Sequence, residues 1–67
     1  MKAKVGSKVK VVKMDEESTK YVGNLVGKKG RIIELLENSK GEIQGAKVRF
    51  AGGKIWSFYW HELKLRR

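Results

Sequence analysis

Alternation with a period of two constrains this chain more than any other feature. Val9 and Val11 alternate with Lys8 and Lys10, and Ala46, Val48 and Phe50 alternate with Lys47, Arg49 and Ala51. Apolar residues at every second position mark strands with one face buried and the other in water. The wet face here is cationic. Strands are therefore expected over residues 7–13, 31–37, 46–51, 54–59 and 63–65. The run Arg31-Ile32-Ile33-Glu34-Leu35-Leu36-Glu37 is denser and has the length of a short helix. Gly27 and Gly30 before it, Asn38-Ser39-Lys40-Gly41 after it and two adjacent isoleucines favour a strand. In that strand Ile33 and Leu35 are expected on the core side, with Ile32 and Leu36 on the other. Gly52-Gly53 turns the chain into an aromatic strand, residues 59–62 suit one helical turn, and residues 14–26 read as a long loop.

Strands this short, joined by glycine-bearing turns, predict an all-β fold: a small five-stranded antiparallel barrel with a single helical turn before the last strand. Closing the sheet removes exposed strand edges. Residues 1–67 are expected to form one domain. Its predicted core is Val5, Val9, Val11, Ile33, Leu35, Val48, Phe50, one face of residues 55–60, Leu63 and Leu65. A domain of 67 residues has a thin core, and many of that size depend on disulfides or a structural metal. This chain has no cysteine and a single histidine, so apolar packing or a partner must hold it together. The lack of cysteine suits a reducing compartment. With no apolar run near the ~20 residues that span a bilayer, the expectation is a soluble, cytoplasmic protein with no membrane partner.

The charge is strongly unbalanced, with 16 Lys+Arg against 7 Asp+Glu and a formal net charge of +9. Such a field attracts polyanions, nucleic acid first and an anionic membrane surface or an acidic protein next. A lysine-rich solubilising surface is the plainer reading. The cations lie on strand faces and in one turn rather than in a tail, so the charge belongs to a folded surface.

Catalysis finds little support. His61 is the only imidazole, and adjacency to Glu62 in sequence does not build a proton relay. Glu34 and Glu37 fall on opposite faces of a strand, and Asp15-Glu16-Glu17 reads as a solvated acidic loop. Neither gives the converging carboxylates that a metal or an acid–base pair needs. No cofactor or metal is expected. Gly27-Lys28-Lys29-Gly30 offers two lysines on a turn whose glycines permit close backbone approach to a phosphate. It lacks the spacing of a P-loop, and a basic turn that merely starts a strand has the same sequence. Of the six aromatic residues, Trp56, Phe58, Tyr59 and Trp60 are clustered. Trp56, Phe58 and Trp60 share one face by alternation, which suits a core. A barrel this small has little room for all three rings, which leaves Trp56, Tyr59 or Trp60 as a candidate platform for stacking a base beside Lys47, Arg49 or Lys54. Tyr21 is a separate exposed candidate in the long loop.

Val9-Lys10-Val11, Gly27-Lys28-Lys29-Gly30-Arg31-Ile32, Val48-Arg49-Phe50 and Glu62-Leu63-Lys64-Leu65 together resemble the SH3-like small barrels of the KOW type. The resemblance spans residues 7–65. KOW-type modules occur in ribosomal proteins and NusG-type transcription factors, and bind RNA, DNA or protein surfaces through basic loops. The resemblance implies an SH3-like barrel and points to Gly27, Lys28, Lys29, Gly30 and Arg31. The stretch between Met14 and Val26 is longer than the usual KOW turn and carries three acids. The resulting expectation is a non-catalytic nucleic-acid-binding barrel. Lys8, Lys10, Lys28, Lys29, Arg31, Lys47, Arg49 and Lys54 would meet phosphates, with support from Trp56, Tyr59 or Trp60. The alternative is a protein-interaction module, an accessory subunit or an effector docking on an acidic protein.

Overall fold

A computed structural model describes residues 3–66. The chain runs β1 (Lys8–Val11), α1 (Glu16–Val22), β2 (Lys29–Glu37), β3 (Ile43–Phe50), β4 (Ile55–Tyr59), a 3₁₀ turn (Trp60–Glu62) and β5 (Leu63–Leu65). The five strands form one antiparallel sheet in the order β4-β3-β2-β1-β5, and the sheet bends into a small barrel-like globule. The fold class is therefore the all-β, five-stranded architecture expected, with its helical turn before the last strand. Among the described residues no helix is long and apolar enough to cross a membrane.

Each strand forms because its alternation matches the pleat. Val9 and Val11 point inward from β1, and Ala46, Val48 and Phe50 do so from β3. Phe58, Leu25, Ile32 and Leu63 complete the buried cluster. The Phe50 and Phe58 rings meet edge to face at 6.0 Å, an arrangement worth ~0.5–1.5 kcal/mol beyond the area it buries. Burying Ile32, Val9, Val11 and Val48 almost completely supplies about 1.5–3 kcal/mol for each side chain.

Strand β2 departs from the expected parity. Ile32 is 1% exposed whereas Ile33 is 38% exposed. Pairing with β3 shifts register between Ile32 and Glu34, as one extra residue bulges. The bulge resets the alternation, so Ile32 and Leu35, three apart, both turn toward the core. Val5, expected in the core, is 59% exposed because it lies in the turn that precedes β1. Leu65, at the end of the edge strand β5, is also exposed rather than buried.

Residues 14–26 are not a plain loop, since they contain α1. Asp15 caps this helix, its carboxylate accepting the Ser18 N–H at 2.6 Å, and Glu16 and Glu17 occupy the first turn. Acids there complement the helix dipole. Gly23, with φ of +80°, ends the helix, and its N–H donates to the Thr19 carbonyl. Behind the helix Leu25 is buried, and its N–H donates to the Met14 sulfur at 3.1 Å.

The Gly27-Lys28-Lys29-Gly30 segment also divides differently. Gly27, with φ of +87°, makes the turn, whereas Lys29 and Gly30 already belong to β2. Gly30 serves close packing rather than turning. A Cβ there would lie 2.6 Å from both the Arg49 carbonyl oxygen and a Val48 methyl carbon. Gly30→Ala should therefore lower stability by about 2 kcal/mol, the range for overpacking, measured by chemical unfolding. Ser18's N–H holds the Asp15 carboxyl below the usual carboxylate range. A depressed folded pKa means that the cap stabilises above the ordinary value and is lost as pH falls through the lowered one. Circular dichroism should show helix content dropping below about pH 4, and Asp15→Asn should weaken that dependence.

Candidate functional site

The pleat that buries Val9 and Val48 sets the cations on the outer face, and strand register then aligns them. Lys8 pairs with Arg31, and Arg31 pairs with Arg49. Arg66 extends the row, its N–H donating to the Lys8 carbonyl at 2.8 Å. One step along β1, Lys64 pairs with Lys10 and Lys10 with Lys29. Two cationic rows thus cross the sheet, roughly 7 Å apart along the strands, with neighbours in each row about 5 Å apart at the backbone. Lys8, Lys29, Arg31, Arg49 and Arg66 line an open hollow of about 600 Å³, rimmed by Gly52 and Gly53 at the β3–β4 turn. No carboxylate lines it. The Arg31 guanidinium reaches the Gly6 carbonyl at 3.5 Å, which steers its plane toward β1.

The next row changes sign. Glu34 pairs with Lys47, whose ammonium lies 3.3 Å from its carboxylate. This is the one ion pair among the described residues, and it holds Lys47 against an acid rather than leaving its charge open.

The other expected contacts are dispersed. Lys28 sits across from Val11, whose N–H donates to its carbonyl. Lys28 lies before the first residue of β2, outside the regular alternation that sets Lys29 and Arg31 in the rows. The Lys54 ammonium donates to the Val22 carbonyl at 3.1 Å, at the C-terminal end of α1. A cation is favourable at that helix end, and this contact draws Lys54 away from the rows. Trp56 lies opposite Val48, faces inward and packs against the core cluster. Trp60 also packs there, its indole N–H donating to the Ile43 carbonyl at 3.1 Å. Tyr59 is the exposed ring, at 54%, and it stacks on His61 with centroids 6.0 Å apart. It shares the outer face with the cations, but lies two rows from Arg49 along the strands, roughly 13 Å. Tyr21 is exposed on α1, away from the sheet rows.

The structure thus gathers Lys8, Lys10, Lys29, Arg31 and Arg49 on one face, adds Lys64 and Arg66, and leaves Lys28, Lys47, Lys54, Trp56, Tyr59 and Trp60 outside the rows. The two added residues carried a signal in sequence. Lys64 stands between two leucines in an alternating tail, and joins the face once that tail pairs with β1. The chain matches no family model, no curated protein and no solved structure.

Like charges directly opposite one another on a sheet are destabilising. With Lys8, Arg31 and Arg49 in register, the free protein should melt at a higher temperature as NaCl is raised from ~10 mM to ~0.5 M, because added salt screens the repulsion. Arg31→Ala should melt no lower than the parent at low salt. A melting temperature that falls with salt would show that attraction, not repulsion, dominates the surface.

Proposed function

We propose that this chain is a non-catalytic, SH3-like barrel of the KOW type that binds nucleic acid, RNA or DNA, in the cytoplasm through the outer face of its sheet. The observation that carries this reading is the aligned row Lys8–Arg31–Arg49, continued by Arg66, over a hollow lined by no carboxylate. The arrangement opposes folding, and a polyanion is the ligand class that relieves the repulsion of a whole row at once. The KOW resemblance supports the same reading, since Lys29 and Arg31 of its motif lie in the two rows.

Phosphates rather than bases are the groups addressed. Arginine presents a planar fork suited to phosphate oxygens, and lysine a compact point charge. The cationic rows contain no aromatic ring on which a base could stack. Binding through phosphates fixes position but reads no sequence. Trp56 and Trp60 serve the core in this reading, and Tyr59 lies beyond the phosphate contacts.

The test is a titration with single- and double-stranded oligonucleotides at several salt concentrations. The affinity should fall steeply with salt, with a log–log slope near −0.9 per phosphate neutralised on duplex. Arg31→Ala should weaken binding to all sequences alike and reduce the slope by about one unit. Lys47→Ala and Lys54→Ala should bind nearly as the parent does, because Glu34 and the Val22 carbonyl already engage those ammonium groups. No binding at ~50 mM salt would remove the proposal.

A further inference from the structure

The outer face presents its cations as an array with width as well as length, and offers no ring on which a base could stack. Lys8, Lys10, Lys29, Arg31 and Arg49 stand on β1, β2 and β3, each of which is paired on both sides. Their backbone positions are therefore fixed before any ligand arrives. The first row, Arg66–Lys8–Arg31–Arg49, crosses from β5 to β3, roughly 15 Å. The second, Lys64–Lys10–Lys29, crosses from β5 to β2 beside it, roughly 10 Å.

The hollow at the first row is open, and its rim at the β3–β4 turn is Gly52 and Gly53, which have no side chains to obstruct a bulky ligand. Its lining contains no Ser, Thr, Asn or Gln, so no hydroxyl or amide side chain is present to read a base edge or a 2′-hydroxyl. The single ring in that lining belongs to Phe50, which is buried against Phe58. Trp56 and Trp60 pack on the core, and Tyr59 stacks on His61 outside the rows.

A single strand and a duplex gain differently from such a surface. A single strand is one line of phosphates on a flexible chain. Tight single-strand binding comes from bases stacked on aromatic side chains along a cationic groove, and this face lacks the rings. One strand could neutralise one row, but would leave the other unneutralised and lose its own freedom. A duplex is already stiff, and it holds two lines of phosphates on either side of a groove. Arg66 and Arg49 stand farther apart than the ~6 Å width of a B-form minor groove, so the two ends of the first row can meet opposite backbones. Lys64 and Lys29, the ends of the second row, then fall on further phosphates of the same two backbones.

We propose that the ligand of this face is double-stranded nucleic acid, held by its two backbones across a groove. The inference rests on the phosphate reading above and narrows it to the paired state. DNA and RNA duplexes share this chemistry, two parallel lines of phosphates, and differ in groove width. The test compares a duplex of ~15 base pairs with a homopyrimidine strand of ~30 nucleotides, nearly equal in phosphate count, in DNA and in RNA at ~100 mM salt. The duplex should bind at least tenfold tighter in one or both chemistries, and the larger ratio identifies the source. Arg49→Ala and Arg66→Ala, at the ends of the first row, should each weaken the duplex more than the single strand and so shrink that ratio. Ile33, exposed in the hollow, provides the converse. Ile33→Tyr supplies the missing ring and should raise single-strand affinity at least fivefold, with folding checked by thermal unfolding. Single strands that bind as tightly as duplexes in both chemistries would overturn this inference and leave the phosphate reading standing. So would end variants that weaken both ligands equally, or a folded Ile33→Tyr that gains nothing for single strands. No binding to any of the four would remove the phosphate reading and this inference together.

Discussion

The contact on which the rest of the structure depends is the row Val9–Gly30–Phe50 on the inner side of the sheet. Gly30 lies where β1, β2 and β3 cross beneath the hollow. A side chain there would collide with the Arg49 carbonyl and with Val48. Its absence lets Val48 and Phe50 fill the space over β2, which brings β3 close to β2 and fixes its register. In a pleated sheet the register of the inner row determines the outer one, because a slip of one residue exchanges the two faces. The outer row one step away is Lys8–Arg31–Arg49. The close packing at Gly30 is thus part of the same register that sets three cations facing each other across three strands.

That coupling separates what holds the fold from what the outer face does. The core is apolar and short, and the cations contribute nothing to it beyond their backbones. Their mutual repulsion works against the pairing of β1, β2 and β3. The sheet accommodates it because Ile32, Val9, Val11 and Val48 are almost fully buried. Where charge is offset, the offset is local. Lys47 has Glu34 and Lys54 has the end of α1, while the rows over the hollow have no acidic partner among the described residues, only the Gly6 carbonyl near Arg31. Seven of the cations are gathered in the two rows on one face.

The sequence pattern made β1, β3 and β4 legible because their alternation is uninterrupted, and it therefore also made legible the sharing of one face by Lys8, Lys10 and Arg49. β2 was harder. A bulge costs one residue of parity, and in Ile32-Ile33-Glu34-Leu35-Leu36 every apolar position has an apolar neighbour, so no single residue marks the shift. α1 was concealed by charge: Asp15-Glu16-Glu17 looks like a solvated run, yet it is a cap followed by two acids at the favourable end of a helix dipole. The spacing of Asp15, Ser18 and Gly23 held that information. Lys64 and Arg66 depended on a long-range fact, that β5 returns to pair with β1, which no local pattern contains. The diversion of Lys54 to the Val22 carbonyl is of the same kind, because its partner lies 32 residues away.

The distribution of charge over the strands gives the two edges different characters. β5 ends the sheet with Lys64 beside Lys10 and Lys29, so its open side is guarded by the same cations that build the outer face. β4 ends it with side chains that are neutral throughout, and the row that joins it to Lys47 carries Ser57 in place of a cation. Across the sheet from β5 to β4 the row of Arg66, Lys8, Arg31 and Arg49 stays positive as far as β3 and ends at Ile55 in β4, while the Glu34–Lys47 pair lies in the next row along the strands. A charged edge discourages any further strand, whereas an uncharged and regular one accepts it. One small sheet thus carries two unlike regions, a face crowded with cations and an edge whose side chains are all neutral.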